Sequence, residues 1–137
     1  YGTFETKLED EIARDTTLKN WLINMIENWK PDIVAIEGIQ YQQNEGVTTF
    51  EKLARLQGIL MSCLTELNIP YIICHTQVWR HHCGVKGKTR ADKKKSMQLI
   101  VKNWFDISVS NDCADAIGIG KYATDTHLKK PVIENWE

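Results

Sequence analysis

Asp112 and Asp115 stand three positions apart in NDCADAIGIG, residues 111–120, a segment that is otherwise small and apolar. Residues at that spacing share one face of a helix, so the two carboxylates project together. Like charges held side by side repel unless a cation lies between them. A structural role competes with that reading: Ser110 or Asn111 can cap the helix, and acids in a first turn suit the positive end of the helix dipole. Glu37 closes the apolar run DIVAIE, residues 32–37. It is a third candidate, with an ordinary solvent-facing strand-end acid as its plain alternative. Together the three offer hard oxygen donors, with neither histidine nor thiolate counted among them, which suit Mg²⁺ or Mn²⁺ rather than zinc.

The stretch Thr76–Lys102 supplies a further feature: Arg80, Lys86, Lys88, Arg90, Lys93, Lys94, Lys95 and Lys102 against the single acid Asp92. Its net charge is +7 in a chain whose total is −1, so the remainder carries −8. Such segregation points to an anionic partner meeting one face, and a solvated lysine-rich helix start is the bland alternative. Carboxylate-held metal beside a cationic segment suits phosphodiester hydrolysis. Two ions about 3.5–4 Å apart can activate the attacking water and stabilise the leaving oxygen of an in-line displacement.

The elements that must position these groups follow from hydrophobic periodicity. YGTFET alternates like a strand already under way, and with Tyr1 rather than Met in first place the chain is expected to begin inside a larger protein. Leu18, Trp21, Leu22, Met25, Ile26 and Trp29 fall at helical spacing, with Thr16 or Thr17 as cap, KLEDEIARD as a charged connection before it and Pro31 as its end. DIVAIE predicts a central parallel strand covered on both faces, which puts Glu37 at the strand's carboxyl end, where open α/β sheets place their sites. From Val47 to about Leu67 a long helix carries two apolar stripes, one of them expected against a second copy of the chain. IPYIICH predicts another buried strand and TQVWRHHCGVKGKTRADKKK a basic loop. A helix bearing Met97, Ile100, Val101 and Trp104 follows, and then one from the aspartates to about Ala123. This order is that of one α/β domain over residues 1–137 with a partly parallel sheet.

Composition agrees: 42% hydrophobic and 26% charged residues are ordinary for a globular chain. No apolar run approaches membrane-spanning length and residues 1–15 lack signal-peptide regions, so no membrane partner and a cytoplasmic location are expected. Cys63, Cys74, Cys83 and Cys113 show neither zinc-type nor disulfide-framework spacing and are expected as reduced thiols. His75, His81, His82 and Cys83 fit no common closed zinc site. Gly84 and Gly87 resemble a phosphate-cradling turn but lack the Walker pattern, so no nucleotide cofactor is expected. Trp21, Trp29 and Trp104 are predicted core. Trp79, set among basic residues, is the tryptophan predicted to touch DNA.

In order and spacing, PDIVAIEGIQY, GKTRADKKKSMQLIV and DCADAIGIGKYAT resemble motifs of the RuvC-type Holliday junction resolvases of the RNase H-like superfamily, over nearly the whole chain from GTFET to about Thr124. The resemblance implies an α/β, RNase H-like mixed sheet flanked by helices. It implies Glu37, Asp112 and Asp115 as Mg²⁺ ligands, with Mn²⁺ as a possible substitute, and Lys93 as the lysine that meets the scissile phosphate or junction backbone. It further implies a homodimer that nicks four-way branched DNA symmetrically, leaving a 5′-phosphate and a 3′-hydroxyl. Arg80, Lys86, Lys88, Arg90, Lys93 and Lys94 are the expected backbone contacts. Where the family often has an aromatic wedge this chain has Gln40, with Tyr41 beside it to stack on a base or to cover the core. The family's first catalytic aspartate lies on an opening strand, and no such motif precedes Tyr1. The expectation is therefore an N-terminally incomplete domain. A catalytically inactive junction-binding module, or another RNase H-like nuclease acting on RNA–DNA hybrids or in transposition, are the alternatives.

Overall fold

A computed structural model describes residues 1–41, 43–44 and 46–128. The chain packs as two compact units, one formed by Phe4–Ile73 and the other by Tyr1–Thr3 with the described residues from Cys74 onward.

The first unit is built from helix α1 (Glu11–Trp29), strand β1 (Val34–Glu37), helix α2 (Gly46–Glu66) and all but the last residue of strand β2 (Tyr71–Cys74). α1 begins five residues before the nearer predicted cap, because Asp10 caps it: its Oδ2 accepts from Ala13 N–H at 2.7 Å. The charged residues 11–15 are thus the first turn of the helix rather than a connection to it. Thr17, one of the two predicted caps, returns its hydroxyl to Ala13 C=O inside the helix. Lys30, in the left-handed region at φ 47°, ends α1 ahead of Pro31.

α1 and α2 pack together and are also linked by charge. Buried Asp15 accepts from Arg55 Nε at 2.8 Å, and Glu11 meets Arg55 Nη1 at 3.1 Å and Lys52 Nζ at 2.9 Å. Asp15, then Glu11, raises the Arg55 pKa, while hydrogen bonds from Lys52 and Arg55 lower that of Glu11. Asn68, also left-handed at φ 56°, turns the chain out of α2 toward β2, and Val34 N–H bonds Pro70 C=O where β1 and β2 pair side by side.

Three sequence expectations fail here. YGTFET forms no strand, since β1 and β2 pair with each other and, among the described residues, no third strand joins them. Its alternation serves a different contact, with Phe4 stacked on Trp21 at 5.3 Å. β1 is half-buried rather than covered on both faces, because each member of a two-stranded sheet is an edge. Trp21 and Trp29, predicted core, are 39% and 75% exposed.

The second unit contains α3 (Thr76–Cys83), α4 (Arg90–Phe105) and α5 (Asn111–Ala123), the last continued by one π-type turn over Thr124–Leu128. α5 packs against both α3 and α4. Its core is Trp79 and Cys83 from α3, Met97 and Val101 from α4, and Cys113, Ala114, Ile119 and Ala123 from α5. At Gly118 a Cβ would stand 3.0 Å from both Trp79 Cζ3 and Met97 Cε, so a side chain there requires the indole and the methionine methyl to give way. The predicted basic loop is helical over its first eight residues, and Trp79 lies at 0% exposure inside this core, which removes it from any DNA contact. Trp104, by contrast, is 36% exposed and not core.

All four cysteines are free and buried. Burial, and secondarily the charge of Asp125, pushes the Cys83 thiol up to about 11, while Lys121 pulls the other way. Since an unfolded thiol titrates near 9.0, the neutral buried thiol contributes stability that is complete below that pH and is lost as pH rises through about 11. The gap in urea midpoint between the chain and Cys83→Ala should therefore narrow from pH 9 to pH 11. Gly118→Val should destabilise the chain by about 1–3 kcal/mol in urea unfolding, the usual cost of overpacking.

Candidate functional site

Ser110 caps α5, its Oγ accepting from Cys113 N–H at 3.3 Å, one of the two caps expected from sequence. That bond fixes where the helix begins, and so places Asp112 and Asp115 on one face of its opening turns. Asp112 is exposed and Asp115 half-buried. Cys113, between them in sequence, turns into the core with 6% exposure. The donors offered on this face are therefore carboxylate oxygens without sulfur, a set that fits a hard cation such as Mg²⁺ and suits zinc poorly. Glu37 is exposed at the carboxyl end of β1, in the other unit. The structure brings together the pair on α5. Among the described residues, no group of three or more His, Cys, Asp or Glu side chains is gathered closely enough to hold a metal ion.

The cationic candidates divide by environment. Arg80 is half-buried on α3, its guanidinium 5.5 Å from the Trp79 ring, so part of its cation is turned toward an aromatic face. Gly84 ends α3 in the left-handed region at φ 80°, and Val85 N–H returns to Arg80 C=O, so the glycine stops a helix rather than opening a phosphate cradle. Lys86, Lys88 and Arg90 are exposed, while Lys93 and Lys94 are half-buried in the first turns of α4.

Asp92, the single acid of the stretch, serves the helix. Asp92 N–H donates to Thr89 Oγ1 at 3.1 Å and Thr89 N–H to Asp92 Oδ2 at 3.4 Å, a reciprocal capping box. The Thr-x-x-Asp spacing at 89–92 is the signal in the sequence from which this cap can be found. His82 is exposed and pairs with Asp125 at 2.9 Å within the second unit. Tyr41 meets Phe50 edge-on at 5.9 Å and keeps 53% exposure, so the ring is braced and still open to a stacking partner.

A family model described as "Crossover junction endodeoxyribonuclease RuvC" matches residues 1–121. This chain belongs to the RuvC family. The match spans β1 with Glu37, the basic segment and the α5 aspartates. A RuvC of Petrotoga mobilis is 31% identical over 121 residues, covering 85% of this chain and 71% of the relative. The RuvC of Pseudothermotoga lettingae is 29% identical over 124 residues, covering 87% and 73%. Both carry the name crossover junction endodeoxyribonuclease. Among solved structures, T. thermophilus RuvC in complex with a Holliday junction substrate superposes with a TM-score of 0.69 at 14% identity, over 90% of this chain and 77% of that one. A second Thermus thermophilus RuvC structure gives 0.64 at 18% identity, over 85% and 69%. The α/β, RNase H-like fold expected from the sequence is thereby shown. No described helix of this RuvC-family chain is long and apolar enough to cross a membrane.

Loss of the α4 cap, as Thr89→Ala, should cost about 1 kcal/mol in urea unfolding. It should also speed amide exchange at residues 91–93 relative to the rest of α4.

Proposed function

We propose that this chain is a structure-selective endonuclease that resolves four-way DNA junctions by metal-dependent phosphodiester hydrolysis. The observation that carries this is the oxygen-only donor pair, Asp112 and Asp115, displayed by the Ser110-capped start of α5 in a chain that matches the RuvC family across that helix. Asp112, Asp115 and Glu37 are the carboxylates that would hold Mg²⁺, or Mn²⁺ in its place. The ion, when bound, supplies Lewis acidity at the phosphate and a water of lowered pKa.

The remaining work falls to the protein. Lys86, Lys88, Arg90 and Lys94 attract and orient the DNA backbone through sequence-independent charge. Lys93 meets the scissile phosphate, and Arg80 adds a weaker, partly screened contact. Tyr41 stacks on an unpaired base at the branch, a contact worth roughly 1–3 kcal/mol. Val47, Leu53 and Leu67 of the α2 region are exposed apolar residues, which supports assembly as a homodimer whose two sites nick two strands symmetrically.

A second reading is favoured by one observation. Among the described residues no three metal-ligating side chains cluster, as a junction-binding module without cleavage would have it. Both readings meet the same experiment, in which the chain is incubated with a labelled four-way junction, a linear duplex and an RNA–DNA hybrid in Mg²⁺. Paired symmetrical nicks in the junction alone are the expected outcome. Binding without nicks establishes the second reading, and hybrid cleavage overturns junction selectivity. Asp112→Asn, Asp115→Asn and Glu37→Gln should each lower the cleavage rate about 10²–10³-fold, the scale of losing one electrostatic stabiliser, while junction binding without metal persists.

A further inference from the structure

The basic segment that follows α3 is tied down at three points. Lys86 donates its backbone N–H to Ser96 Oγ at 2.9 Å, reaching forward to the seventh residue of α4. Gly87, at φ 139°, passes so close over the start of α4 that a Cβ would stand 2.5 Å from Asp92 Cβ and 3.0 Å from Asp92 C and Lys93 N. Thr89 then closes the capping box with Asp92. Through this folded-back turn Lys86, Lys88 and Arg90 are held exposed beside Lys93 and Lys94. Five cations within nine residues repel one another, and an untethered segment would spread to separate them.

Resting on the nuclease reading above, we infer that Ser96 is a positioning residue for the DNA-binding surface: its hydroxyl holds the Lys86 amide, and through it the turn 85–89, in the form that meets phosphates. Ser96 carries no charge, so it leaves the number of ion pairs unaltered. Its effect is to remove in advance the disorder that binding must otherwise suppress. Gly87 belongs to the same device, since at that φ and that separation no other residue fits.

This separates a positioning residue from a contact residue by a measurable criterion. The logarithm of the binding constant falls with the logarithm of salt concentration by about 0.9 per neutralised phosphate, so loss of a contact flattens the slope. Loss of preorganisation lowers the whole line and leaves its slope unchanged. Equilibrium binding of a labelled four-way junction by the chain, without divalent cation and across a salt series, is the test. Ser96→Ala should bind roughly 3- to 10-fold more weakly at every salt concentration with an unaltered slope, and Ser96→Thr should restore the affinity. Lys86→Ala should reduce the slope by about 1. Thermal melts establish that each variant is equally folded. Wild-type affinity in Ser96→Ala overturns the inference. So does a slope flattened as in Lys86→Ala, or weak binding that threonine leaves unrestored. Absence of junction binding by the wild-type chain overturns the nuclease reading instead, and this role with it. Amide exchange at Lys86 then reads the tether without DNA: several-fold acceleration in Ser96→Ala is expected, and an unchanged rate shows that the tether does not exist.

Discussion

Between Trp79 of α3 and Met97 of α4 there is room at position 118 for a hydrogen atom, and the second unit is organised around that fact. Because α5 carries glycine there, its backbone comes close enough for Cys83 Sγ to reach Gly118 C=O at 3.4 Å and for an indole to be wholly enclosed. One helix thereby sets the height of two others. α5 begins with the paired aspartates, α3 ends where the cationic turn starts, and α4 begins where that turn finishes. The aspartate pair and the cationic turn are thus extensions of one close-packed junction, and a shift in that packing moves both.

A second constraint is electrostatic. Concentrating seven net positive charges in 27 residues is unfavourable in isolation, and the structure limits the cost with short-range devices, among them the Lys102–Asp106 ion pair at 3.1 Å. Asp92 is spent on capping α4, and the Arg80 guanidinium is turned partly toward the Trp79 ring. The turn between them is held by an uncharged hydroxyl and a glycine. The two groups that hold the turn are neutral, so they leave its positive charge undiminished. On α5 the opposite economy holds, since Cys113 is turned inward and the face beside it is left to oxygen.

Much of this was legible from residue spacing. The long helix over 46–66, the later turns of the helix over 90–105, and the helix from 111 to 123 with a Ser110 cap follow from periodicity and capping chemistry, which are local. The errors also have local causes. Charged residues 11–15 resemble a linker until Asp10 is seen to cap them into a helix, and Phe4 alternates like a strand residue while it stacks on Trp21. Trp79 was misplaced because its sequence neighbours are basic. Four residues on, Cys83 lies one helical turn away, and that spacing, read as a buried stripe, would have placed the indole inside.

What the sequence determined by itself is whatever depends on neighbours within about one helical turn: the caps, the helix spans, the pairing of Asp112 with Asp115 on one face, and the concentration of positive charge. The tertiary structure alone decided which of these groups remain available. Burial depends on residues far apart in the chain, and only their packing could enclose Trp79, turn Cys113 from the donor face, expose Trp29, and bind the Lys86 amide to a serine ten positions away.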